Sequence, residues 1–129
     1  MEWGDIKELA FTWEGRVNRA PWWGFNVASW VAGLVGYAIA FYAVERSETL
    51  GVVVSVLVSL VFIGFAIGGV MVTIKRWHDR GRPGWWIFIV VIPIVGQLWA
   101  LIELGFLPGE DGTNQWGPNP LSPAARRQS

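Results

Sequence analysis

Long uncharged apolar stretches, separated by short polar clusters, dominate this chain. Gly24 to Val44 runs for 21 residues without a charge, and Leu50 to Ile74 for 25. A third stretch opens at Trp85, stays uncharged for 18 residues to Ile102, and continues past Glu103 to Leu107. A helix needs about 20 apolar residues to cross a ~30 Å hydrocarbon core. Within one segment, only a helix satisfies its own backbone hydrogen bonds there. The pattern therefore predicts an all-α integral membrane protein with three transmembrane helices, over about 24–44, 50–74 and 85–107. The third requires Glu103 to reach the headgroups of the far face. Three buried helices of a soluble protein would leave too little polar chain to cover them. Pro93 removes a backbone donor and clashes with the carbonyl of Ile89, so a kink is expected. The alternative is a re-entrant hairpin at Pro93 and Gly96, which would return the tail to the side it came from. Each arm would be too short to span.

The segment before the first run has a different period. Trp3, Ile6, Ala10, Trp13 and Val17 recur at spacings of 3, 4, 3 and 4, one apolar stripe on a helix. Glu2, Asp5, Glu8 and Thr12 fill much of the other face. This reads as a short N-terminal interfacial helix. Its acidity sets it against anionic lipid, so it is expected to lean on protein, over the basic loop. Ala38-Ile39-Ala40 imitates a cleavage signature, but the segment before the first run is long and partly acidic, unlike a secretory signal.

Composition sharpens the picture. Of 129 residues, 53% are hydrophobic and 16% charged, with a mean hydropathy of +0.39. Soluble domains carry roughly 25% charged residues. No cysteine is present, which excludes a disulfide scaffold, a thiolate metal site and a cysteine nucleophile. Zero net charge gives no field for nucleic acid, and none is expected as a partner. With three crossings, Lys7, Arg16, Arg19, Lys75, Arg76, Arg80 and Arg82 share one side. Arg46, Arg126 and Arg127 take the other. The positive-inside rule then places the N-terminus in the cytoplasm and the tail outside. Trp13, Trp22, Trp23, Trp77, Trp85 and Trp86 flank the cytoplasmic ends, where indole favours the headgroup zone.

Lys75 to Trp86 (KRWHDRGRPGWW) concentrates the polar chemistry. Arginine forms bidentate hydrogen bonds to phosphate and carboxylate, so Arg76, Arg80 and Arg82, joined by Arg16 and Arg19, are candidates for binding lipid headgroups or an acidic partner. A basic loop also follows from topology alone, with Asp79 or Glu14 pairing an arginine to fold it. Asp79 is expected to pair with Arg16 or Arg19. His78, Asp79, Gly81, Trp85 and Trp86 read as a structural cap. The lone His78, without cysteine or a carboxylate cluster, makes no metal site. No metal or cofactor is expected, and no catalytic residue is assigned. A transporter subunit or membrane enzyme using His78 and Asp79 is the alternative. Small residues at Gly64/Gly68, Ser55/Ser59 and Ala32/Gly36/Ala40 suit close helix packing, within the chain or in a homo-oligomer. The tail from Pro108 to Pro120 is dense in turn formers, and 122–129 reads as disordered.

Three motifs in order carry a resemblance. They are Gly15-Arg16-x-x-Arg19-x-x-Trp22, Arg76-x-His78-Asp79-x-Gly81-x-x-Gly84-Trp85-Trp86, and Gly112-x-Asn114-x-x-Gly117-x-x-Pro120. Together they resemble domain of unknown function 805, a family of small bacterial inner-membrane proteins, over nearly the whole chain. Trp77 stands where that family usually has Leu. Gln115, Trp116 and Asn119 stand where it often has Arg, Tyr and Asp. The resemblance implies a multi-pass inner-membrane location and a tail motif of Asn114, Gly117 and Pro120, and it brings no assigned activity. The chain thus reads as one membrane domain over 1–121. Its expected function is non-enzymatic, with membrane lipids or a membrane protein as partner.

Overall fold

A computed structural model describes residues 2–123; of the tail expected to be disordered, 124–129 lie outside the described residues. Among the described residues, four α-helices and one 3-10 helix make the fold. They are α1 (Trp3–Phe11), α2 (Arg19–Arg46), α3 (Glu48–Asp79), the 3-10 helix Gly84–Val91 and α4 (Val95–Gly105). Two of them, α2 and α3, are long and apolar enough to cross a membrane.

These two form an antiparallel pair joined by one residue. Ser47 ends α2 in extended backbone, and its Oγ accepts the Leu50 N–H at 2.9 Å as the N-cap of α3. A serine there satisfies one of the unpaired donors at the start of a helix. At the other end, Pro21 sits in the first turn of α2, where its missing N–H costs nothing. Both helices outrun their apolar stretches. α2 starts at Arg19 and α3 continues through Lys75 to Asp79, so the cationic cluster sits on the last helical turns.

Helix α1 ends at Phe11, short of the stripe that predicts it; Trp13 lies in the extended linker and is exposed. Ala10 is buried near Gly68 of α3. Lys75 Nζ donates to the Glu8 carbonyl and, at 2.6 Å, to the Leu9 carbonyl. A cation on the final carbonyls of a helix complements their partial negative charge. The acidic helix therefore leans on protein through its C-terminal backbone.

The third apolar run is not one helix, and this corrects the span expected over 85–107. The chain breaks at Ile92-Pro93-Ile94 between the 3-10 helix and α4. Ile94 has φ 63° and ψ −62°, and the Val95 N–H reaches the Pro93 carbonyl at 2.7 Å, which closes a γ-turn. Pro93 can offer no N–H to continue a helix across this point. The arms then fold against each other. A Cβ on Gly96 would lie 1.8 Å from the Ile89 carbonyl oxygen, so only glycine permits the approach. Gln97 Nε2 donates to the Val90 carbonyl at 2.6 Å across the hairpin. Its two ends meet the same end of the α2–α3 pair. Trp23 Nε1 on α2 donates to the Gly105 carbonyl at 2.9 Å, and Gly84 lies against Ile74 and His78 of α3. The tail, expected on the opposite face, follows back to that end.

The core sits there too. Val17, Trp22, Val72, Trp77, Ala100 and Leu104 are buried together, flanked by Phe25, Trp86 and Ile89. Farther along the pair, Leu34, Tyr37, Val53, Leu57 and Leu60 are all exposed.

Candidate functional site

Three segments distant in sequence converge at the core end of the helical pair: the linker after α1, the last turn of α3 with its following turn, and the tail after α4. Two arginines bind them. Arg16 is held in the linker, where the Val17 N–H reaches the Lys75 carbonyl at 3.4 Å. Its Nε donates to Asp79 Oδ1 at 3.0 Å, Nη1 to the carbonyls of Gly112 at 2.7 Å and Gly117 at 3.2 Å, and Nη2 to that of Glu110 at 2.7 Å. Arg76 lies one turn before Asp79 on α3. Its Nη1 donates to Asp79 Oδ2, Nε to the Leu104 carbonyl at 2.7 Å and Nη2 to the Leu107 carbonyl at 2.6 Å. Each carboxylate oxygen of Asp79 thus faces a different guanidinium, and both side-chain pairs are buried. Charge-assisted, multiply directed hydrogen bonds of this kind are the strong ones. The Asp79 carbonyl also accepts the Glu110 N–H at 2.7 Å.

Beside Asp79, His78 turns away from it. Its Nδ1 lies 3.0 Å from the Gly15 carbonyl, and its ring stacks on Trp116 with centroids 4.6 Å apart and planes 4° from parallel. The His78 backbone carbonyl accepts Asn114 Nδ2 at 2.9 Å. His78 lies beyond the apolar stretch that ends at Ile74. Burial lowers its pKa below the ordinary imidazole value, opposed by the Gly15 hydrogen bond. In the tail, Asn114 and Gly117 pair through backbone hydrogen bonds of 3.0 and 3.1 Å. The Asn119 side chain and carbonyl close the turn around Pro120. Gly81, with φ 78°, lets the chain leave α3 in a left-handed turn.

A second carboxylate organises the edge of the cap next to the hairpin. Glu103 is buried on α4 and accepts Arg82 Nε and, at 2.6 Å, Trp99 Nε1; Arg80 Nε lies 3.5 Å away. Glu103 therefore sits in the cationic cluster, which corrects its expected place at the far interface. Arg82 also lies over the Trp86 ring at 4.1 Å, and Trp85 stacks on Trp86. Arg80 Nη1 donates to the Pro108 carbonyl, and Arg19 Nη1 to that of Phe106 at 2.9 Å.

All five arginines singled out from the sequence gather at one end, but they divide. Arg16 and Arg76 are enclosed and directed at protein groups. Arg80 and Arg82 keep 22% and 33% of their side chains exposed. Trp77, fully buried, leaves its Nε1 without a hydrogen-bond partner among the described residues. Sequence reasoning missed Trp99, the hold of Lys75 on the end of α1 and above all the accepting carbonyls of Leu104, Phe106, Leu107, Glu110 and Gly112. A backbone acceptor has no side-chain signature; the density of turn formers in the tail is the only trace of it.

The family model described as "Protein of unknown function (DUF805)" matches residues 10–118. Those limits take in the first two motifs and the third as far as Gly117. Among curated proteins, the chain is similar to "Uncharacterized protein YiiR" of Escherichia coli (strain K12), 28% identical over 139 aligned positions, covering 87% of this chain and 88% of that protein. It is also similar to "Inner membrane protein YhaI" of the same organism, 26% identical over 106 positions, covering 82% and 83%. No solved structure matches.

Proposed function

The chain belongs to the DUF805 family of proteins of unknown function, and from that premise we propose a two-span bacterial inner-membrane protein whose polar cap holds anionic lipid headgroups at the cytoplasmic face. The similarity to an inner membrane protein and the two long apolar helices support the location. Among the described residues, Lys7, Arg16, Arg19, Lys75, Arg76, Arg80 and Arg82 lie toward the cap end, and Arg46 lies at the other. The positive-inside rule puts such an end in the cytoplasm. The N-terminal segment and the tail then share that side, with the hairpin dipping back into the membrane.

The observation that carries the binding reading is the split among the arginines. Arg16 and Arg76 hold the cap shut. At its edge, Arg80 and Arg82 share the carboxylate of Glu103 and keep part of their side chains exposed. Trp85, 65% exposed, stands beside them at the depth where indole meets headgroups. A partly exposed guanidinium next to an interfacial tryptophan suits a lipid phosphate. His78 and Asp79 support no chemistry as a pair, because their side chains serve different partners.

The test is native mass spectrometry of the protein released from membranes containing anionic and zwitterionic lipid. Arg80→Gln with Arg82→Gln should lose retained anionic lipid by roughly tenfold or more, at about 1 kcal/mol for each cation near an anionic surface. Retention equal to wild type would overturn the reading.

A further inference from the structure

The cross-section of this molecule changes along the membrane normal. Around the cap-side turns of α2 and α3 stand α1, both arms of the hairpin and the tail. The hairpin meets α3 through Val72, Ile74, Arg76 and Trp77, and α2 through Trp22 and Trp23, all at the cap end. Its 3-10 arm of 8 residues and its α arm of 11 are each about 16 Å long at ordinary rises per residue. That is about half of a ~30 Å hydrocarbon core. Its surface is made for lipid tails: Phe88, Val91, Ile92, Ile94 and Val95 are all exposed and apolar. Beyond the tip, α2 from Val31 and α3 back to Gly51 continue as a bare two-helix stem whose apolar side chains face outward.

We infer that the protein is a one-leaflet wedge that binds preferentially where the cap-side leaflet is convex. The inference rests on the two-span reading above. The hairpin adds the cross-section of two helical arms to the cap-side leaflet and nothing to the opposite one. Curving the bilayer toward the cap opens the packing of the cap-side leaflet, and apolar groups inserted there gain contact with acyl chains that would otherwise be exposed to water. Insertion of apolar side chains at the acyl boundary is curvature-sensitive for this reason. The occupant of the apolar face is therefore lipid, sorted by its packing. The closed geometry of Gly96 against Ile89 keeps both arms in one leaflet, since neither arm alone reaches the other side.

The experiment uses the full chain, which has no native cysteine, with single cysteines introduced as Asn18→Cys or Asp111→Cys. Each is reconstituted into tethered vesicles spanning a wide range of radii, and an impermeant thiol reagent reports which copies have the cap outside. Cap-out copies should be enriched severalfold per unit area on the most curved vesicles, and cap-in copies depleted on them. Equal density at all radii, or the same trend for both orientations, would overturn the wedge while leaving the two-span reading intact. Labelling of Asn18→Cys and Asp111→Cys from opposite sides would overturn both. A preference that vanishes when copies are diluted to one per vesicle would assign the effect to self-association and also overturn the inference. Gly96→Val, which opens the hairpin, should weaken the preference. The comparison of the two orientations of the parent chain stands even if that variant fails to fold.

Discussion

The two ends of the helical pair are built on opposite rules. At the cap, the buried side chains include Lys75, Arg76, His78, Asp79 and Glu103. On the stem, Leu34, Tyr37, Phe41, Leu57 and Leu60 face outward. In water this would be an inverted protein. In a membrane it is the expected partition, because lipid accepts apolar side chains and gives a backbone carbonyl or a guanidinium no hydrogen bond. The specific fold is then determined at the cap. The stem has little to lose from truncation, since a leucine facing lipid gains almost nothing by being covered with protein. The cap has much to lose, since most of its buried polar groups are answered by another.

The sharpest way to break this comparison is to alter one side chain in each region. Asp79→Asn leaves Arg16 and Arg76 buried without a counter-charge and should cost ~3–5 kcal/mol. It should show as a large fall in melting temperature in detergent. Leu57→Ala on the stem should change stability by less than about 0.5 kcal/mol in the same assay, as surface substitutions do. If the two variants melt alike, the division of labour is wrong.

A smaller effect is expected at the hairpin. Gly96→Val places a side chain into the Ile89 carbonyl, an overpacking that should cost about 1–3 kcal/mol. It should also displace the tip: a cysteine at Ile92 should change its rate of reaction with a thiol reagent in the Gly96→Val background. Unchanged reactivity and melting would mean that the turn does not depend on close approach. The smallest cap effect is expected at Trp116→Leu, which removes the ring stacked on His78. Aromatic pairs contribute about 0.5–1.5 kcal/mol beyond their burial. A titration of His78 followed by NMR should shift in this variant, because the imidazole then gains water and its depressed pKa moves back up toward the ordinary value.

Much of the molecule is legible in the order of its residues. Apolar length finds α2 and α3, and the 3–4 spacing of Trp3, Ile6 and Ala10 finds α1. The crowding of cations and scarcity of acids around Asp79 point to an arginine from the N-terminal segment, and Arg16 lies there. The course of the third run is less legible. Hydropathy reports how well a segment dissolves in lipid and carries no information about its direction. Both the straight helix and the hairpin fit the same 18 uncharged residues. What decides between them is the company kept by Glu103: Arg80 and Arg82 offer it a counter-charge at the cap, and γ-turn geometry at Ile94 lets it return. The tail is harder still, because Arg16 reads it through three backbone carbonyls that no residue type announces.

The span between Arg16 and its last acceptor has a consequence for biogenesis. Arg16 leaves the ribosome about a hundred residues before Gly117, the acceptor of its final hydrogen bond. Synthesis proceeds at roughly 5–20 residues per second, so several seconds separate the two events. Throughout that interval α2 and α3 can already lie in the bilayer while the cap has no tail to close on. Arg16 and Arg76 must stay hydrated at the membrane surface, and the apolar hairpin arms must wait beside them. Closure of the cap therefore comes after α2 and α3 have been made, and the interval before it is when the chain is open to capture by insertases, chaperones and membrane proteases.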